Sequence, residues 1–147
     1  MFEALDEAKA SKDGVLSSYF TTLALFHCVK IYYSRAITSS APLYSADIHA
    51  SKIIKTVDRF YHVLEYPKSE PPPTKFWPIP LTMAAIEAKD PIYRSWALQK
   101  IKEYKNAGDH YPQSYDFAEK VQACEGKTGT RADLSEMAKR MGPEFLI

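Results

Sequence analysis

His27 lies one helical turn from Leu23 and from Ile31, on an apolar stripe with Phe26, Tyr32 and Tyr33 close by in the chain. A neutral imidazole or a phenol in such surroundings can donate to a carbonyl oxygen, which would polarise a substrate without a nucleophile or a metal. The plainer reading of His27 is a hydrogen-bonded core histidine. Glu87 and Arg94 straddle the Asp90-Pro91 step, and their spacing predicts a charge-assisted pair that fixes the angle between two helices. Held open instead, either would be a polar anchor in a pocket. The candidate catalytic donors are thus His27, Tyr33 and Arg94, and the candidate ligand-binding residues are Phe26, Tyr32, Trp77, Glu87, Tyr93 and Trp96.

The chain carries 10 Tyr, 7 Phe and 2 Trp, and many of the phenols fall on otherwise apolar helical stripes. Tyr19, Tyr32, Tyr33, Tyr61, Tyr93 and Tyr104 each bring an apolar ring and one hydroxyl that needs a partner when buried. Packed solidly they are core; around a cavity they would hold an apolar, sparsely oxygenated small molecule. No phosphate loop, dinucleotide fingerprint, nucleophile elbow or paired-carboxylate motif occurs, so no cofactor is expected. His49 and His110 are expected near helix ends and exposed, His62 falls on a polar face, and none has a partner at metal-ligand spacing. Cys28 and Cys124, separated by most of the chain, read as free thiols of a reducing compartment. No metal site is expected.

At 147 residues the chain should form one domain. A formal net charge of +1 offers no global basic field for a nucleic-acid backbone or an anionic membrane. The opening MFEALDEAKASKD carries acids and no apolar h-region, unlike a secretory signal, and no uninterrupted apolar run approaches the ~20 residues of a membrane span. These features predict a soluble, cytoplasmic protein, nuclear if it is part of a regulator, with no DNA or membrane binding of its own. Oligomeric state is not legible here.

Helical periodicity must position these residues, and strand signals are nearly absent. Asp13 or Ser17 is the expected cap of a first helix running to about Thr38. Leu25, Phe26, Val29, Tyr32 and Tyr33 make it apolar almost all round, which predicts a place at the centre of a bundle. A second helix starts near Ser45, with Ile53, Val57, Phe60, Tyr61 and Leu64 inward and Lys55, Arg59 and His62 outward. The segment 67–73, PKSEPPP, forbids helix and separates two halves. A third helix is expected from Phe76 to Lys89. A fourth, capped by Asp90 with Pro91 first, turns Tyr93, Ala97, Ile101 and Tyr104 inward and ends at Gly108. A fifth spans Pro112 to Glu125 with Phe117, Val121 and Cys124 inward. The last is expected to begin at Thr130, with Asp133 completing a capping box, and to bury Leu134, Met137, Ala138 and Met141. The fold class is all-α: a single bundle of about six helices.

The stretch from Ile79 to Trp96, IPLTMAAIEAKDPIYRSW, resembles the C-terminal part of the fungal-specific transcription factor domain, the helical regulatory region that follows a zinc binuclear cluster in fungal regulators. Pro80, Leu81, Ala84, Ala85, Glu87, Asp90, Pro91, Arg94 and Trp96 carry the resemblance. Phe26 to Ser34 looks like a helix of that family with an Ile-Tyr pair, and Arg131 to Gly142 resembles its closing helix. The chain departs from the pattern where Ile79 and Leu134 stand in place of Trp and Ala85 in place of Gly; Trp77, two residues upstream of Ile79, is the expected compensation. The family's DNA reader needs closely spaced cysteines that Cys28 and Cys124 do not supply. Three functions fit. The reshaped aromatic core favours a stand-alone regulator-like domain that binds an apolar natural-product intermediate and, as a cofactor-free cyclase, accelerates a pericyclic, Diels-Alder-type ring closure. A genuine start at Met1 would favour it further. The alternatives are the C-terminal piece of a zinc-cluster transcription factor that binds an effector or partner, and a small protein that competes for such a regulator's partner surface.

Overall fold

The computed structural model describes residues 2–37, 44–67, 78–104 and 110–142. Within them the chain forms α1 (Phe2–Ile37), α2 (Tyr44–Leu64), α3 (Pro78–Glu87), α4 (Pro91–Glu103), α5 (His110–Thr128) and α6 (Leu134–Met141), with no strand among the described residues. The all-α bundle expected from periodicity is what forms, but its centre is α3 and not α1. Every residue of α3 except Ile79 is buried, and the helix packs against α1, α2, α4 and α5. Its sequence PIPLTMAAIE is apolar on all sides, as a central helix must be. Ala84 and Ala85, fully enclosed, let neighbouring backbones approach closely.

The first helix is an edge element. Its 36 residues make a rod about 54 Å long, and the stripe it buries is Phe20, Ala24, His27, Cys28 and Ile31. Phe26, Val29 and Tyr33 point to solvent. Neither Asp13 nor Ser17 caps it: FEALDEAKASKD is built mainly from good helix formers, and Gly14 is passed without a break. By length and composition alone Asp6–Ala36 would qualify as a membrane span. No uninterrupted apolar run marks it, since Ser17, Ser18, Thr21 and Thr22 interleave with the apolar residues. The two threonine hydroxyls donate back to the carbonyls of Ser17 and Ser18 at 2.9 and 2.8 Å and so sit in a helix at little cost.

Along α2 the expected division holds, with Ile53, Val57, Phe60 and Tyr61 buried and Lys55, Arg59 and His62 exposed. The helix ends where Glu65 takes a φ of 50°. Residues 68–77 lie outside the described residues, and with them most of the proline-rich break, the expected helix start at Phe76, and Trp77. Asp90 caps α4 as expected, accepting from the Ile92 N–H at 2.8 Å ahead of Pro91; Gly108, its expected end, lies outside the described residues. The hydroxyls of Tyr61 and Tyr104 bond to each other and tie α2 to the end of α4. The fifth helix runs a turn past Glu125, to a left-handed Gly129 (φ 67°) that donates to the Glu125 carbonyl at 2.9 Å. Cys124 is only half-buried. The sixth helix starts at Asp133, not Thr130: the Asp133 carboxylate accepts from the Glu136 N–H at 3.1 Å, while the Thr130 hydroxyl is bonded to that of Thr128 at 3.1 Å. Asp133-x-x-Glu136 is the better capping pair, since Glu136 fills the position where Glu is preferred.

Candidate functional site

Four charged side chains meet under the C-terminal end of α1. Arg35 donates through Nε to Glu87 Oε1, through Nη1 to the Ala132 carbonyl at 3.0 Å and through Nη2 to Glu125 Oε1 at 2.9 Å. Arg131 Nη2 donates to the second Glu87 oxygen at 2.8 Å, and the Ala132 N–H reaches Glu125 Oε1 at 3.0 Å. Two cations and two carboxylates balance. The cluster ties α1, α3 and α5 to the segment that enters α6, and the Glu87 side chain is only 3% exposed.

Beside this cluster lies an open cleft of about 480 Å3, lined by Tyr32, Arg35 and Ala36 from α1 and by residues 131–135 at the start of α6. That volume is in the range of small-molecule sites, roughly 300–1,000 Å3. Two of its lining residues carry buried polar atoms with no hydrogen-bond partner among the described residues, the Tyr32 hydroxyl and the Arg131 Nε. Burial pushes the Tyr32 phenol well above its ordinary range, and the nearby Cys28 adds to this while Arg35 opposes it, so the hydroxyl remains a neutral donor. A phenol O–H and a guanidinium N–H thus lie unsatisfied behind the lining of the cleft, beside Ala36, Ala132 and Leu134, and a carbonyl or carboxylate oxygen that reached them would supply the missing acceptor.

The residues singled out from sequence scatter around the bundle. Tyr32 and Glu87 belong to this corner. Arg94 does not pair with Glu87; its Nε and Nη2 both donate to the Ala88 carbonyl, at 3.1 and 2.8 Å. It thereby closes the C-terminal end of α3, where Gln122 also bonds the Ala85 carbonyl at 2.7 Å. The corner clasp expected between Glu87 and Arg94 is replaced because two arginines reach Glu87 from α1 and from the start of α6. Tyr33 and Phe26 project outward, 64% and 52% exposed. Tyr93 and Trp96 are half-buried against the core, with Lys100 Nζ 5.7 Å from the centre of the Trp96 ring. Trp77 lies outside the described residues. No hydrogen bond or ring contact joins His27, Tyr33 and Arg94 to one another among the described residues.

His27 bonds to another histidine. Its Nδ1 is 3.0 Å from the Nδ1 of His49 on α2, one ring donating and the other accepting. His49, expected near a helix end and exposed, is instead half-buried and paired. Burial lowers the pKa of both rings. For His27 the His49 and Lys52 charges add to this, and for His49 the Lys52 and Lys30 charges do. No group of three or more candidate metal ligands occurs among the described residues.

Sequence reasoning missed Arg35, Glu125 and Arg131 as site residues. For two of them a signal was present. Arg35 continues the buried stripe of α1 one turn beyond Ile31, and Glu125 continues that of α5 one turn beyond Val121. A charge at the next core position of an amphipathic helix implies a buried partner. No protein-family model, no curated protein and no solved structure matches this chain.

Proposed function

We propose that this chain is a regulator-like helical binding domain whose α1–α6 cleft takes an apolar, sparsely oxygenated molecule of natural-product type, oriented by Tyr32 and Arg131 through one carbonyl or carboxylate oxygen. The observation that carries the reading is that two residues lining one cleft hold unpartnered buried donors, because an unsatisfied buried polar atom costs about 1–3 kcal/mol that an oxygen ligand reaching it would recover. The likeness of Ile79 to Trp96 to fungal regulatory domains supports an effector-binding role in particular. Cofactor-free ring closure would be a further step at the same place. It would have to run on Tyr32 and Arg131, since His27, Tyr33 and Arg94 face three different directions, and binding is therefore the reading carried forward.

The test is a fluorescence titration with 9-anthracenecarboxylic acid and with anthracene, on the parent chain and on Tyr32→Phe. The acid should bind the parent more tightly, and Tyr32→Phe should lose roughly tenfold for the acid and little for the hydrocarbon. Equal affinity of parent and variant for the acid, with both folded by circular dichroism, would refute the role of the phenol. No binding of either probe would refute the cleft. In the alternative role, as the C-terminal piece of a zinc-cluster regulator, the same effector site would serve a longer chain. Either role predicts no sequence preference in a DNA gel shift at physiological salt.

A further inference from the structure

The opposite flank of α1 carries charges of another kind. Between α1 and α2 runs an open groove of about 380 Å3, floored by Phe20 and Leu23 and edged by Lys52, Lys55 and Arg59. The three cations fall at i, i+3 and i+7 of α2, a row about 10 Å long. All three are exposed, and none has a carboxylate at ion-pair distance among the described residues. Among the described residues the one acid lining the groove, Asp58, lies 3.6 Å from His62. Along the outer edge of the groove α1 presents Val15, Tyr19, Phe26, Val29 and Tyr33, each between 52% and 68% exposed. They repeat at helical spacing and form one stripe about 27 Å long. Tyr19 belongs to both stripe and groove, and Lys30 lies over the Phe26 ring with Nζ 5.4 Å from its centre. An apolar strip, interrupted by the exposed Thr22, thus has a cationic border on its α2 side at Tyr19.

We propose that this face docks an acidic amphipathic helix of a partner protein, its apolar side along the α1 stripe with one side chain seated over Leu23, and its carboxylates on Lys52, Lys55 and Arg59. Charge complementarity selects this occupant. A helix bearing acids at i, i+3 or i+4, and i+7 matches the row on α2, and its apolar anchors match the stripe. A second copy of the chain would bring the same cations to a two-fold contact and repel. An anionic bilayer would want cations on both sides of the stripe, whereas Arg35 and Arg131 on the other flank are already paired with Glu87 and Glu125. The surface is separate from the α1–α6 cleft and does not depend on what that cleft binds.

The experiment is an anisotropy titration with a labelled amphipathic helical peptide carrying Glu on its polar face, beside versions with Gln and with Lys at the same positions. The Glu peptide should bind, weakening as salt is raised, and the Gln peptide should bind roughly tenfold more weakly. The variant Lys52→Glu/Lys55→Glu/Arg59→Glu changes only exposed residues, and circular dichroism verifies its fold. It should bind the Glu peptide about ten- to thirtyfold more weakly and the Lys peptide more tightly than the parent does. Equal binding of Glu and Gln peptides overturns the proposal, as does a charge-reversed variant that still prefers Glu. So does a parent that ignores the Glu peptide, including one that instead pellets with phosphatidylserine vesicles.

Discussion

The two flanks of α1 use charge in opposite ways. On the α6 side Arg35 and Glu87 are withdrawn from water and Arg131 and Glu125 partly so, and the four form one balanced cluster in which removing Glu87 takes a partner from both arginines at once. On the α2 side Lys52, Lys55 and Arg59 stand in solvent, with no carboxylate at ion-pair distance among the described residues. Burial decides the difference. Charges taken out of water must find partners when the chain folds, and those left in water do not need them until something else removes the water. The first set therefore holds helices in place, and the second remains available to an incoming surface.

Glu87→Ala tests the first half of that contrast most severely. It leaves Arg35 and Arg131 facing each other beneath α1, and the expected loss is about 3–5 kcal/mol in urea unfolding. A loss under about 1 kcal/mol would mean that water reaches the cluster and that it is no more structural than the α2 row. Next in size is Asp133→Ala, which removes the cap of α6, the wall of the cleft. About 1 kcal/mol should be lost, together with affinity for the carboxylate probe if α6 frays. Unchanged stability would place the start of α6 under the control of Arg35 and its bond to Ala132 instead.

The unequal legibility of the molecule follows the same division. Local rules were readable: Asp90-Pro91 starts α4 where capping chemistry places it, and the inward stripes of α2 and α4 follow from spacing. Which helix takes the centre was not, because α1 and α3 are both apolar and only packing shows that α3, short and rich in small residues, fits among four neighbours. The partner of Glu87 was illegible for a related reason. Arg94 is seven residues away and Arg35 fifty-two, and nothing in sequence spacing reports the longer contact. Arg35 and Glu125 could nonetheless have been flagged, as charges one turn beyond Ile31 and Val121.

The histidine pair lies between the two regimes, buried like the cluster yet next to the unpaired Lys52. Both rings have their pKa lowered on folding from the ordinary value of 6.5. In the interval between folded and unfolded pKa the unfolded chain binds more protons, so this contribution is complete above pH 6.5 and is lost as pH falls through the folded values. Double protonation also leaves no acceptor for the Nδ1–Nδ1 bond and adds two charges beside Lys30 and Lys52. The urea midpoint should therefore drop between pH 7.5 and pH 5, and His49→Gln should flatten that part of the curve. A drop of the same size in the variant would assign the pH dependence to carboxylates elsewhere.

The smallest effect is the sharpest measure of the contrast between the flanks. Lys52→Gln/Lys55→Gln/Arg59→Gln removes three positive charges at once, yet each is exposed and has no ion-pair partner among the described residues, so stability should change by no more than about 0.5 kcal/mol. The sign should be slightly favourable, since neighbouring like charges repel along one helix face. Relief of the Lys52 charge should also let the folded pKa values of His27 and His49 rise toward 6.5 and shrink the acid-side loss of stability. A destabilisation of about 2 kcal/mol or more would show that these side chains hold α1 to α2 through packing of their stems. The groove would then be part of the scaffold, as the buried cluster is, and its cations would no longer count as free for a partner.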